Sequence, residues 1–424
     1  MTTSLKLPKK LTIETLDTDK PEGRFSEAGD NGPEQIVRVL DPESGWTWGY
    51  VVVDNTRRGP GLGGIRLAED ISVDEVKRLA RAMTLKNSAS CLPFGGGKSG
   101  LAADPRVLKS DPALKADLVA LFAEAVFPLT QYVPAPDMGI DENDVQLIHD
   151  VFSRLRQPGM QRRSAAGRPV QNGGIPIDQW GLTAHGLFAA ASALESRFPD
   201  FQIKDARTVI QGYGSVGSWT AVKLHAAGAL IAGASDINAA LWNPSGLDVE
   251  ELNRVRTLPG GLSNYRGKTE KRFSPSRLDW LLEAPCDLLV PSARPDAITS
   301  RNADRVQCRF ILQGANNPSN KMTEYYLEKR RNILSLADFI VNAGGVIGCA
   351  VELKMDLEKE YRSKVLAVGP RPYLENLIHD TVSRNIFEIF DRLSKNKTGG
   401  TIFREEALRL AKERLLSPKS DYWM

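Results

Sequence analysis

The sequence predicts an α/β protein of two domains, and three observations lead to that prediction. The chain has 424 residues, which is more than one average domain needs. In its second half, short apolar runs alternate with helical segments, as in a parallel sheet covered by helices. A glycine fingerprint at residues 212–217 follows one of these runs and precedes a helical segment, as in a dinucleotide-binding turn.

The first half starts with residues 1–34, which lack hydrophobic periodicity and are expected to form a loose N-terminal arm. Residues 36–40 and 46–54 have strand-like patterns, and their spacing indicates a hairpin. Ser72 is a candidate N-cap for a helix over 73–90, because apolar residues recur there at helical spacing. Residues 157–174 mix arginine, glycine, proline and serine, and this composition predicts a flexible connection between the domains.

The second half has five candidate strands, each a short apolar run between helical segments. They cover residues 208–211, 230–235, 288–291, 310–313 and 339–341. Two amphipathic helices separated by residues 396–401 are predicted for the segment 372–416.

Composition excludes several classes of function. The 55 basic and 52 acidic residues are spread along the chain, so no global field indicates a nucleic-acid partner. No apolar run is long enough to cross a membrane, and the N-terminus has no signal-peptide pattern. The four cysteines are far apart and no histidine stands at metal-ligand spacing, so we expect a cytoplasmic protein without a bound metal.

Lys98 ends the glycine run 95–97, and this pattern is typical of an amine held close to a small ligand. A phosphate-binding loop is the first alternative, but it needs a glycine where Leu92 stands. A surface turn with a solvated lysine is the second alternative. It is disfavoured because other candidate residues accompany Lys98.

The glycine fingerprint has the context of a Rossmann turn. Gly212, Gly214 and Gly217 follow a candidate strand, Ser215 and Val216 begin the next helix, and an acid stands about 20 residues further on. That acid, Asp236, would accept hydrogen bonds from ribose hydroxyls and repel the 2′-phosphate of NADP. The sequence therefore predicts NAD as cofactor, with NADP less favoured.

Several ordered motifs together resemble the amino-acid dehydrogenases that act on glutamate, leucine, phenylalanine or valine. The resemblance covers about residues 59–352. Its motifs are the glycine-rich segment 59–66, residues 86–89, the segment 133–139, the two asparagine segments 313–318 and 341–346, and residues 182–186. It is specific because all of them occur in the family's order.

The resemblance implies roles for individual residues. Lys98 would be the catalytic base and Asp137 would shuttle the proton of the substrate amine. Lys86 would bind the substrate α-carboxylate, and the pKa of Lys98 would be lowered by Lys86 and by closure of the site. The implied substrate-binding residues are Lys86, Gly63, Gly64, Leu62, Met83, Ala135 and Cys349. The implied cofactor contacts beyond the Rossmann turn are Thr183, Asn316 and Asn342.

Two departures from the family pattern concern the substrate. In members specific for glutamate, a lysine and a serine hold the side-chain carboxylate, and here Leu62 and Cys349 occupy those positions. A buried carboxylate without such partners would cost several kcal/mol. Met83 resembles the branched-chain and aromatic members. These residues favour an apolar substrate such as leucine, valine or phenylalanine; the alternative is glutamate, held by another residue such as Arg294.

The expected layout follows from the resemblance. A substrate-binding and oligomerisation domain covers 35–180, a Rossmann domain covers 181–352, and C-terminal helices over 353–424 return to the first domain. The active site is expected in the cleft between the two domains. A homo-oligomer, most often a hexamer in this family, is implied. A hypothesis of another class is a catalytically weak, NAD-binding regulatory or structural subunit.

Overall fold

The computed structural model describes residues 5–16, 33–160, 164–396 and 400–417. The chain forms two compact units. The first comprises residues 1–176, 348–370 and 411–424, and the second comprises 177–347 and 371–410. The predicted α/β class is confirmed, since each unit has a sheet covered by helices.

The sheet of the first unit has six strands in the order β1-β2-β3-β5-β4-β6. Strands β1 to β3 and β5 pair antiparallel, whereas β4 pairs parallel with both β5 and β6. The strands are β1 Thr12–Leu16, β2 Gln35–Leu40, β3 Thr47–Asn55, β4 Gly61–Ala68, β5 Gly95–Ala102 and β6 Tyr132–Ala135. The predicted hairpin is β2 with β3. Part of the expected loose arm is instead ordered as β1, because Ile13 and its neighbours complete the edge of the sheet.

Four helices accompany this sheet before the chain leaves the first unit. They are α1 Val73–Ala89, α2 Pro105–Ser110, α3 Pro112–Val126 and α4 Glu142–Leu155. The predicted N-cap of α1 is confirmed, since the Ser72 side chain accepts a hydrogen bond from the Glu75 N–H. Apolar side chains of β2, β3, α3 and α4 form the main core of the unit.

The expected flexible connection is wrong for residues 164–174, because that segment is packed. Glu352 lies on the helix α10 (Gly344–Leu357), and its carboxylate accepts hydrogen bonds from the N–H groups of Gly167 and Ile175. The Arg168 guanidinium also binds it, with Nε 2.6 Å from Oε1. The polar, glycine-containing segment 164–174 therefore forms a buried turn held by hydrogen bonds to Glu352. Residues 161–163 lie outside the described residues.

The second unit has a seven-stranded sheet in the order β10-β9-β8-β7-β11-β12-β13. Its central strands are parallel, and β9 and β10 add an antiparallel edge. The strands are β7 Arg207–Gln211, β8 Leu230–Ser235, β9 Ala240–Trp242, β10 Lys271–Phe273, β11 Leu288–Pro291, β12 Phe310–Leu312 and β13 Leu334–Leu336. The helices are α5 Leu182–Arg197, α6 Ser215–Ala226, α7 Val249–Val255, α8 Lys321–Arg330 and α9 Asp338–Val341.

One predicted strand is wrong. Residues 339–341 belong to α9, and the last parallel strand is β13, a few residues earlier. An apolar run of three residues fits a buried helix turn as well as a strand. Here the buried carboxylate of Asp338 fixes the turn, because it binds Arg404 and the N–H of Asn317.

The C-terminal region contains α11 Lys359–Val368, α12 Pro370–Lys395 and α13 Phe403–Leu416. The two predicted helices over 372–416 correspond to α12 and α13. Only residues 348–370 and the end of α13 belong to the first unit, whereas 371–410 belongs to the second. The return of the C-terminal helices to the first unit is therefore partial.

Candidate active site and cofactor-binding turn

Lys98 lies in the middle of β5, and its side chain is 4% exposed. Its Nζ is 2.6 Å from Oδ2 of Asp137, which follows β6 by two residues. The two predicted catalytic residues are therefore in direct contact within the first unit. A lysine ammonium and a carboxylate at this distance form a charge-assisted hydrogen bond.

The glycines before Lys98 allow the neighbouring elements to pack closely against β5. A Cβ on Gly96 would lie 2.1 Å from Oγ1 of Thr84 and 2.3 Å from its backbone nitrogen, both on α1. A Cβ on Gly97 would lie 2.6 Å from the carbonyl oxygen of Gly61 on β4. The run is a strand interior against which α1 packs at close range, so the alternative of a surface turn with a solvated lysine is wrong.

The predicted substrate-binding residues cluster around this strand. Gly63, Gly64 and Leu62 lie on β4, and in the parallel pairing Gly64 stands opposite Ala135 of β6. A Cβ on Gly63 would lie 3.3 Å from Cγ of Met83, and a Cβ on Gly64 would lie 2.7 Å from Cβ of Asp137. Met83 and Asp137 can thus lie this close to β4 only because residues 63 and 64 are glycines.

Lys86 and Met83 belong to α1, and Lys86 is buried near the end of that helix. Leu62 is fully buried on β4, and Cys349 is buried in the part of α10 that belongs to the first unit. All the predicted catalytic and substrate-binding residues are therefore in one unit.

Arg66 of β4 is a charged member of the site to which the sequence reasoning gave no role. Its Nε is 3.2 Å from Oδ2 of Asp137, the oxygen that also contacts Lys98. Its Nη1 is 2.8 Å from Oε1 of Glu75 on α1. The alternation of a strand could have indicated it, because Arg66 is two residues from Gly64 and so shares its face.

The charges of this cluster shift the pKa values of its members. Burial lowers the pKa of Lys98, Asp137 opposes that effect, and the positive charge of Arg66 adds to it, so the net shift is downward. Burial alone would raise the pKa of Asp137, but Lys98 and Arg66 together hold it well below its usual range. Arg66 is thus a positive charge that acts with burial on Lys98, and the sequence reasoning had not assigned it this effect.

Ser99 replaces the glycine that usually follows the catalytic lysine in the dehydrogenases that the sequence resembles, and it joins a buried hydrogen-bonded chain. Its Oγ is 2.9 Å from the hydroxyl of Tyr132, which donates to the carbonyl oxygen of Gly63 at 2.9 Å. This chain ties β5 to β4 and β6 beside Lys98. The departure is therefore accommodated by a specific partner.

In the second unit, the three glycines of the turn have distinct roles. Gly212 has φ +91°, a conformation that favours glycine, and a Cβ on Gly217 would lie 2.0 Å from the Gly212 carbonyl oxygen. A Cβ on Gly214 would meet no described atom within 4 Å. The turn is thus tight at Gly212 and close-packed at Gly217, while Gly214 borders open space at the start of α6, where a pyrophosphate would bind.

Ser215 and Val216 form the first residues of α6, and the hydroxyl of Ser215 donates to Oδ1 of Asp178 at 3.0 Å. The carboxylate of Asp236, directly after β8, accepts the N–H groups of Asn238, Ala239 and Leu262 at 2.7–2.9 Å. Three backbone donors hold this carboxylate in place, and its remaining lone pairs are those available to a ribose.

The asparagine segments meet each other. Nδ2 of Asn342 is 3.3 Å from Oδ1 of Asn316 and 3.2 Å from the carbonyl oxygen of Gly314. Oδ1 of Asn342 is buried and has no hydrogen-bond partner among the described residues. Thr183 lies beside this segment, since a Cβ on Gly345 would lie 2.8 Å from its Oγ1. An orphaned acceptor of this kind fits the carboxamide N–H₂ of a nicotinamide.

The position of Arg294 gives no support to its suggested role of holding a glutamate side-chain carboxylate. It is exposed and pairs with Asp279 at 3.2 Å. Within the described part of the chain, no group of three or more His, Cys, Asp or Glu side chains is placed to hold a metal ion. None of the described helices is long and apolar enough to cross a membrane.

Comparison with known proteins decides the family. Residues 173–369 match the model for glutamate/leucine/phenylalanine/valine dehydrogenase, and residues 33–154 match the model for the dimerisation domain of the same enzymes. The chain belongs to this dehydrogenase family. It is an amino-acid dehydrogenase that acts on the CH–NH₂ group of its donor.

Curated relatives and solved structures of the family are similar over most of the chain. A glutamate dehydrogenase from Aeropyrum pernix is 34% identical over 70% of this chain and 69% of its own length. An NADP-specific glutamate dehydrogenase from Saccharolobus shibatae is 30% identical over 91% of this chain and 88% of its own. Among solved structures, a hetero-hexameric glutamate dehydrogenase from Thermus thermophilus in a leucine-bound form is 26% identical, with a TM-score of 0.75, over 96% of this chain and 88% of that one.

Proposed function

We propose that this dehydrogenase catalyses the reversible, nicotinamide-dependent oxidative deamination of an L-amino acid to a 2-oxo acid and ammonia. The observation that carries the proposal is the buried contact between Lys98 and Asp137, with the pKa of Lys98 lowered. An amine with a lowered pKa can accept a proton at moderate pH, as general base catalysis requires.

In this mechanism the buried ammonium of Lys86 binds the α-carboxylate, which every amino acid shares. When bound, NAD supplies the acceptor for the hydride that leaves Cα. Lys98 takes a proton from the water that adds to the resulting iminium carbon. The Asp137 carboxylate, with Oδ2 2.6 Å from Nζ of Lys98, accepts that proton and passes it to the amine so that ammonia can leave. Burial of the pair excludes other water from these transfers.

For the cofactor, the residues of the second unit fit a dinucleotide. The open space at Gly214 and the N-terminus of α6 suit the pyrophosphate, and the unpartnered Oδ1 of Asn342 suits the carboxamide. Asp236 favours NAD, because a 2′-phosphate beside a carboxylate held by three backbone donors would be repelled. One Bacillus subtilis relative is NAD-specific and the Saccharolobus relative is NADP-specific, so both cofactors belong in the assay.

The names of the relatives support glutamate as the substrate of this chain. The similar proteins from Aeropyrum pernix, Bacillus subtilis and Thermotoga maritima are all named glutamate dehydrogenases. Their names support glutamate better than the apolar substrate predicted from the sequence. We therefore take glutamate as the first candidate substrate.

An apolar amino acid is the second candidate, and two buried residues favour it. Leu62 is fully buried and Cys349 nearly so, and neither can form an ion pair with a side-chain carboxylate. If both residues contact the substrate side chain, they suit leucine, valine or phenylalanine. The observation is specific enough to require a direct test.

The test compares rates on glutamate, leucine, valine and phenylalanine with NAD and with NADP, and the reverse rates with ammonia and the 2-oxo acids. If the substrate is apolar, Leu62→Lys should raise the ratio of kcat/KM for glutamate over leucine, and the milder Cys349→Ser should raise it less. If glutamate is the substrate, the wild-type protein prefers it, and Leu62→Lys does not improve that preference. Cofactor binding without turnover on any of these compounds would support the non-catalytic subunit instead.

Self-association is proposed as well. Residues 33–154 match a domain described as a dimerisation domain, and the Thermus thermophilus neighbour is hetero-hexameric. We expect the chain to form a homo-oligomer, with six copies as the first candidate. Light scattering coupled to size-exclusion chromatography measures the number directly.

A further inference from the structure

Arg66 is the charged residue that contacts Asp137 from the side of β4. Its side chain is 8% exposed, so the guanidinium is largely removed from water. One carboxylate oxygen, Oδ2 of Asp137, lies 2.6 Å from Nζ of Lys98 and 3.2 Å from Nε of Arg66. Two largely buried cations therefore share one anion, whose side chain is 19% exposed.

A second nitrogen of the Arg66 guanidinium, Nη1, has a different partner. Nη1 of Arg66 is 2.8 Å from Oε1 of Glu75, a residue in the first turn of α1. The planar guanidinium thus bridges a carboxylate of the helix and a carboxylate of the site. A lysine could not hold both contacts in this fixed geometry.

The two cations differ in the ability to lose a proton. A guanidinium stays protonated in proteins, whereas an ammonium can release its proton when it is buried and near another positive charge. Only Lys98 can therefore change its charge within the Arg66–Lys98 pair. When it does, Arg66 still pairs with Asp137, so the buried carboxylate keeps a cationic partner.

Charges from three elements act on Lys98. Asp137 comes from the loop after β6, Arg66 from β4 and Glu75 from α1. Two further charged residues are buried in the same unit. They are Lys86 of α1 and Asp54 of β3, whose carboxylate accepts a hydrogen bond from Thr84 of α1. The balance between the neutral and charged forms of the amine depends first on its burial, then on Asp137 and Arg66.

We propose that Arg66 is a positioning residue for the reaction: it fixes the Asp137 carboxylate against Lys98 and allows Lys98 to exist as the neutral amine, while Glu75 holds the guanidinium in place. The inference rests on the proposed function, in which Lys98 is the base. Arg66 itself need not touch the substrate to act in this way.

The test measures the pH profile of kcat/KM for oxidative deamination in the wild-type protein, Arg66→Gln and Arg66→Lys. Loss of the positive charge makes Lys98 harder to deprotonate, so the acidic limb should move to higher pH in Arg66→Gln. A shift of about one pH unit is expected from loss of one close charge. Arg66→Lys keeps the charge and should shift the limb less, while lowering the rate at its optimum.

Arg38→Gln is the matched control. Arg38 is a strand arginine whose Nε binds a carboxylate, that of Glu14, at 2.8 Å in the same unit, away from the site residues. Its pH profile should coincide with that of the wild-type protein. A fall in kcat/KM by the same factor at every pH in Arg66→Gln would overturn the proposal and leave Arg66 with a structural role only.

A second measurement separates this inference from the proposed function. Competitive labelling of lysines with acetic anhydride, followed by peptide mass spectrometry, gives the apparent pKa of Lys98 without any turnover. That pKa should rise in Arg66→Gln and stay unchanged in Arg38→Gln. An inactive wild-type protein with this labelling shift would refute the proposed reaction and keep the electrostatic role of Arg66; an unchanged Lys98 pKa would refute that role.

Discussion

Replacement of Arg404 by methionine tests the buried ion cluster that joins the start of α13 to the second sheet. Nε of Arg404 is 2.7 Å from Oε2 of Glu324, and its Nη2 is 2.9 Å from Oδ1 of Asp338 and 2.7 Å from Oε1 of Gln313. Both carboxylates are at most 1% exposed. Methionine fills similar volume, so the change removes the charge and its hydrogen bonds more than it opens a cavity.

The expected loss follows from what each carboxylate keeps. Oε1 of Glu324 still accepts from Gln313 at 2.7 Å, and Oδ2 of Asp338 still accepts from the Asn317 N–H at 2.9 Å. The cost should therefore be that of breaking one buried ion pair, about 3–5 kcal/mol. For a domain of this size it lowers the melting temperature by about 6–20 °C.

Differential scanning calorimetry measures this effect, with Arg409→Met as control on the same helix. Arg409 pairs with Glu406, but its side chain is 55% exposed, so its loss should cost at most about 1 kcal/mol. Because Asp338 binds the Asn317 N–H, Arg404→Met should also weaken cofactor binding through the neighbouring Asn316. A melting temperature within about 2 °C of the wild-type value would refute the assignment of a coupled buried cluster.

Three further predictions concern the site and its frame. Lys98→Ala should abolish nearly all turnover while the dissociation constant of the cofactor, measured by fluorescence titration, stays close to the wild-type value; a large loss of cofactor affinity would contradict the separate roles of the two units' residues. Gly96→Ala forces a Cβ to 2.3 Å from the Thr84 backbone nitrogen and should cost about 1–3 kcal/mol in urea unfolding, whereas Gly400→Ala, whose Cβ would meet no described atom within 4 Å, should be neutral. Burial raises the pKa of Glu328 to about 8, so the folded protein keeps a proton there that the unfolded chain releases above about pH 4.5. Stability should fall as pH rises through this window, and Glu328→Gln should make the melting temperature less dependent on pH between 5 and 8; equal slopes for both proteins would count against that assignment.

The sequence predicted the structure correctly where a residue pattern was compatible with only one local structure. Glycines at 212, 214 and 217 between a strand and a helix leave a dinucleotide turn as the consistent structure, and the positive φ of Gly212 agrees with it. The helix α1 was predictable from Ser72 and the apolar spacing after it. The roles of Lys98 and Asp137 were implied by the family resemblance alone, and their direct contact was not predicted, since the two residues are 39 positions apart in the chain.

Other features could not be read from the sequence, because they depend on contacts between distant segments. The glycines at 95–97 face α1 and β4, and nothing in the run itself shows whether a ligand or a helix lies above it. The helical turn α9 depends on Arg404, which is 66 residues away along the chain. The packed segment 164–174 depends on Glu352, whose position only the fold supplies.

The row Gly96, Lys98 and Gly100 along β5 has a consequence for how this protein can change. Cβ atoms on the two glycines would collide with α1 or the segment just before it, so Lys98 is the only residue of the row with a side chain. At Gly96 the close contacts include the backbone nitrogen of Thr84, so the strand is held closely against α1 next to Lys98. Substitutions that alter what the enzyme accepts are therefore expected at positions with side chains to exchange, such as Leu62, Met83 and Cys349, while the amine of Lys98, the proposed base, keeps its position.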